Sequence, residues 1–67
     1  MIRLTPRETQ LIGLLSQGAT NGEIAKKMTI KLRTAKNKVR ELGLKIMPME
    51  SRRTRTALAI WWIKQRR

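Results

Sequence analysis

The chain has 67 residues with neither cysteine nor histidine, which excludes disulfides and removes the commonest metal ligands. It makes one domain, residues 1–67, with a core of the size usually supplemented by disulfides, a metal or a second subunit, of which the second subunit is left. Sixteen lysines and arginines face four acids, Glu8, Glu23, Glu41 and Glu50, for a net charge of +12; a polyanion relieves such self-repulsion, nucleic acid first and an anionic membrane surface second.

No N-terminal run reads as a signal peptide, and no stretch of about 20 apolar residues is present to span a bilayer. The expectation is a soluble, cytoplasmic chain without internal repeats, and the lack of cysteine fits a reducing compartment.

In chain order, Thr5-Pro6-Arg7-Glu8 is a dense helix-start signal. Thr5 caps, Pro6 suits the first helical position, and Glu8 reaches back to the cap amide. Leu11, Ile12, Leu14 and Leu15 supply the buried side, and Gly18 takes the left-handed conformation that ends the helix near Ser16 or Gln17. Thr20-Asn21-Gly22-Glu23 repeats the cap arithmetic. Ile24, Ala25 and Met28 then follow at core spacing, so the second helix has about two turns.

After Thr29-Ile30-Lys31, a third helix of about residues 32–46 is predicted, with Ala35, Val39, Leu42 and Ile46 on one apolar stripe. Its end has two readings. Gly43 followed by Leu44 forms a helix stop in which Leu44 folds back on Val39, or the helix runs on to Ile46 and Pro48 ends it. The longer version keeps Ile46 on the stripe at a glycine cost of only about 1 kcal/mol; it leaves Leu44 pointing away from the core.

Ser51 caps a fourth helix from Arg52 to about Lys64. Its middle, Ala57-Leu58-Ala59-Ile60-Trp61-Trp62-Ile63, is apolar around the whole circumference. Ala57, Leu58 and Trp61 mark one side and Ala59 with Ile63 the other, so a three-helix core leaves an apolar strip wet and implies a second burial partner.

Two capped helices, a tight turn and a third helix with a dry inner stripe make an all-α, four-helix helix-turn-helix domain, in which the third helix lies in the major groove of double-stranded DNA. Arg33, Asn37 and Arg40 project farthest outward, with Lys36 on the flank. Arg pairs with guanine N7 and O6, and Asn with adenine N6 and N7. A merely solvated face interleaves both signs, whereas Lys26 through Lys45 holds eight basic residues and one acid, Glu41. Phosphate contacts are expected from Lys26, Lys27, Lys31, Thr34, Lys38 on the opposite edge, Arg52 and Arg53.

These residues resemble the LuxR/FixJ/GerE family of DNA-binding domains over about residues 4–60: Leu4-Thr5-Pro6-Arg7-Glu8, then Gly18 with Thr20-Asn21, Glu23-Ile24-Ala25, Ile30, and Thr34-Ala35-Lys36-Asn37. The resemblance implies that Lys36, Asn37 and Arg40 face the bases, that Thr34 lies near phosphate, and that the fourth helix forms a two-fold homodimer. Leu58, Trp61, Trp62 and Gln65 are the residues expected there. It implies a transcriptional regulator; no cofactor is expected. Lys31 departs from the pattern, standing where Ser or Thr usually caps the third helix, so that helix starts frayed or is capped by Thr29. Gly43 falls within the recognition helix, and Met47 to Ser51 is about two residues longer than usual. A stand-alone domain, without receiver or ligand-binding domain, is expected.

Catalysis is hard to build without His, Cys, Asp or Tyr, since two of the four glutamates are already in caps. A second reading pairs the fourth helix with the matching helix of a full-length LuxR-type regulator and antagonises it. Membrane attachment through Trp61, Trp62 and the cations that follow is a third, set aside because the polar face is too thin.

Overall fold

Both predicted helix starts form as reciprocal capping boxes. The Glu8 amide donates to Thr5 Oγ1 at 3.1 Å and the Thr5 amide to Glu8 Oε1 at 2.8 Å. Thr20 and Glu23 repeat the pair at 3.1 and 2.8 Å, so two otherwise orphaned donors are satisfied at each start. The computed structural model describes residues 2–48 and 55–65. Among them the helices are α1 (Pro6–Ser16), α2 (Asn21–Met28), α3 (Leu32–Ile46) and α4 (Arg55–Gln65), with no strand. The expected Ser51 cap and helix start at Arg52 lie outside the described residues.

α1 and α2 end by the same device with different residues. At the end of α1 the Gly18 amide donates to Leu15 O and the Ala19 amide to Leu14 O, at 3.0 and 3.1 Å. At the end of α2 the Thr29 amide donates to Lys26 O and the Ile30 amide to Ala25 O, at 3.3 and 2.9 Å. Each is a Schellman closure, with one residue held left-handed. Gly18 occupies that position at φ 84° without penalty, but Thr29 does so at φ 55°, where a β-branched side chain costs about 1–2 kcal/mol. Thr29 therefore closes α2 and does not cap α3. Lys31 is the residue that precedes α3, extended and without a side-chain cap bond.

α3 takes the longer of its two predicted forms, passing through Gly43 to Ile46. Leu44 does not fold back on Val39; it is 43% exposed. The core draws Leu11, Ile12 and Leu15 from α1, Ile24, Ala25 and Met28 from α2, Ala35, Leu42 and Ile46 from α3, and Leu58 from α4. Truncating any of its large members costs roughly 2–5 kcal/mol. α4 packs chiefly on α1, and α2 on α3.

That packing corrects one expectation. Leu58, placed at a subunit interface from the sequence, is fully buried in the core of its own chain, and Trp61 and Trp62 are partly buried against the same core. The side of α4 that carries them faces inward because α1 presents its apolar stripe there. Left outside are Ile60 and Ile63, 49% and 53% exposed, while Gln65 is exposed at the last turn. No helix among the described residues is long and apolar enough to cross a membrane.

Three long cations lock the helices together. Arg55 donates to Asn21 Oδ1 and to the carbonyl of Ala19, tying α4 to the turn between α1 and α2. Arg7 donates to Met28 O at 3.4 Å, from the start of α1 to the last carbonyl of α2. Lys45 Nζ lies 2.7 Å from Glu8 Oε1, joining the end of α3 to the cap of α1. None of the three was singled out as structural from the sequence, because their partners are 21 to 37 residues away.

Candidate nucleic-acid interface

The orientation of α3 follows from its inner stripe. Ala35, Leu42, Gly43 and Ile46 are buried and Val39 is partly so, so one side of the helix is committed to α2 and the core. At 100° per residue the opposite side carries Arg33, Asn37, Arg40 and Leu44. All four are exposed, as is Lys36 on the flank. The predicted base-facing residues therefore share one open surface, with no ion pair to any of them among the described residues.

The remaining predicted contacts divide. Lys26, Lys27 and Lys31 are exposed at the end of α2 and in the turn, and Thr34 is half-buried. Lys38 pairs with Glu41 across one helical turn at 3.7 Å and lines a cleft of about 470 Å3 with Thr5, Arg7 and Leu11, which sets it on the edge of α3 toward α1. Arg52 and Arg53 lie outside the described residues. Leu44 was not among the predicted contacts. Its signal was present in the sequence, since seven residues after Asn37 brings it back to nearly the same side of the helix.

Among the described residues each acid already has a partner. Glu8 is held below the ordinary glutamate value of 4.5, first by its bond from Lys45 and then by the Thr5 amide. Glu23 is lowered chiefly by the Thr20 amide. Both are engaged at helix starts, and Glu41 is held by Lys38. The outward face of α3 thus presents Arg33, Lys36 and Arg40 with an amide, Asn37, among them, and Glu41 at its border. Such a surface offers bidentate donors to base edges and point charges to phosphate. Among the described residues no cluster of acids is arranged to hold a metal ion.

The sequence model of the luxR family of bacterial regulatory proteins, GerE, matches residues 3–59. The chain belongs to the LuxR family. No match is found among curated proteins, and none among solved structures. As a LuxR-family helix-turn-helix domain it is a DNA-binding regulator of transcription, from a family that is not enzymatic. The family match also accounts for the Leu-Thr-Pro-Arg-Glu opening. In this LuxR-family domain Thr5 and Glu8 start α1, Pro6 is its first residue, and Arg7 reaches the end of α2. That segment therefore positions the helix-turn-helix pair.

Proposed function

We propose that the protein is a sequence-specific transcriptional regulator that inserts α3 into the major groove of double-stranded DNA and acts as a homodimer. Arg33, Lys36, Asn37 and Arg40 read base edges. Lys26, Lys27, Lys31, Thr34 and Lys38, with Arg52 and Arg53, contact phosphates and set the register. The observation that carries this reading is the two-sided α3, its apolar stripe buried against α2 and the core and its opposite side open and cationic. The exposed pair Ile60 and Ile63, neighbours on one side of α4, supports the homodimer. Two α3 helices in such a dimer meet half-sites about one DNA turn apart.

Selection of bound sites from random duplex DNA tests the proposal. The expected product is a palindrome with half-sites about 10 base pairs apart, and binding that weakens with salt. With about six phosphates neutralised per subunit, log K falls against log salt with a slope of roughly −5 per subunit. Recovery of no preferred sequence overturns specific recognition. The same apolar pair on α4 also suits the matching helix of another LuxR-type regulator. A stable complex with such a regulator, formed by a protein that shifts no DNA at moderate salt, makes antagonism the function instead.

A further inference from the structure

One side chain on the open face of α3 has the wrong chemistry for phosphate and the right chemistry for a base. Leu44 is 43% exposed. It stands two turns beyond Asn37 and in line with it to within about 20°, and it shares a shallow depression of about 210 Å3 with Asn37, Arg40 and Glu41. A lone exposed leucine on an ordinary surface needs no explanation. This one lies on the side opposite the buried stripe, among the residues that face the groove. There the major groove offers one apolar feature, the C5-methyl group of thymine.

We infer that Leu44 is a specificity-determining residue that packs on a thymine methyl in the major groove. The inference rests on the groove-reading orientation of α3 proposed above. Seven residues of helix span about 10 Å, and base pairs stack at about 3.4 Å, so the thymine lies about three base pairs from the adenine that Asn37 reads. Arg40, one turn before Leu44, is left to hydrogen-bond a neighbouring guanine. The reading extends recognition toward the end of α3 that is anchored on Glu8 through Lys45, where the helix is held in place against α1.

Replacing thymine by uracil removes the methyl and nothing else. The test uses the selected site with uracil introduced one thymine at a time, bound by the parent protein, Leu44→Ala and Leu44→Met. For the parent, uracil at one position in a half-site is expected to weaken binding about fourfold, the equivalent of roughly 0.8 kcal/mol for one buried carbon. Leu44→Ala, which removes the contact from both subunits of the dimer, is expected to bind the thymine site about sixteenfold more weakly and to be indifferent to the methyl. Leu44→Met retains the discrimination, since its side chain is also apolar and of similar reach. Because Leu44 is exposed, all three proteins should show the same helix content and melting curve.

A parent indifferent to uracil at every position overturns the assignment. If Arg40→Ala still relaxes the selected sequence in that case, groove reading by α3 survives without Leu44. Equal methyl discrimination by the parent and Leu44→Ala assigns the methyl to another residue and overturns it as well. A parent that selects no sequence removes both the assignment and the reading on which it rests.

Discussion

α3 and α4 each give one side to the same core, yet their outer sides differ in kind. α3 buries Ala35, Leu42 and Ile46 and turns outward two arginines, an asparagine and Leu44; α4 buries Leu58 and turns outward Ile60 and Ile63. A charged outer side stays hydrated until a polyanion releases its counterions. An apolar one gains by being covered whatever the salt. Under the proposed function the two helices have different partners, nucleic acid for α3 and apolar protein surface for α4, and the difference predicts opposite salt responses for the two associations.

The largest effects are expected in the core. Leu42→Ala and Leu58→Ala should each destabilise the monomer by about 2–5 kcal/mol, a large part of the roughly 3–10 kcal/mol expected of a domain this size, as read by urea melting. A Leu58→Ala protein that melts like its parent but sediments differently would return Leu58 to an interface.

Next in size are the readers. Arg40→Ala and Asn37→Ala should each lose about 1–3 kcal/mol of discrimination at one base pair, measured by competition between cognate and altered sites, with melting unchanged. Unaltered preference in both variants would mean that α3 presents a different side to DNA. For α4, the double variant Ile60→Glu and Ile63→Glu should weaken self-association at least tenfold in sedimentation while the monomer keeps its fold, because neither side chain lies in the core. A parent that is monomeric at micromolar concentration would remove the homodimer.

The smallest effect is expected at the turn that aims α3. Thr29→Gly removes the left-handed strain at φ 55° and should stabilise the fold by about 1 kcal/mol, raising Tm by about 4–8 °C. A fall in Tm would mean that the Thr29 side chain contributes more than its backbone strain costs.

Much of this is legible in the sequence. Thr5 with Glu8 and Thr20 with Glu23 are complete local instructions, because donor and acceptor lie three residues apart and need nothing from the rest of the chain. The inner stripe of α3 was equally plain, since its buried positions share one helical period. The outward residues followed from it by opposition. The start of α3 had two readings, frayed or capped by Thr29, and it has no side-chain cap because Thr29 closes α2 through a backbone angle that its residue type disfavours. α4 was legible as apolar but not as oriented. With apolar residues on every side, no period distinguishes the inward face from the outward one.

The amino-acid sequence alone therefore determined where α1 and α2 begin, which side of α3 is dry, and that the partner is a polyanion, because caps, period and net charge are local or summed properties. Tertiary packing decided that Leu58 belongs to the core and Ile60 and Ile63 do not. It also joined Arg7, Lys45 and Arg55 to partners far along the chain. Those outcomes depend on which surfaces meet, and the apolar stripe of α1 can cover only one side of α4.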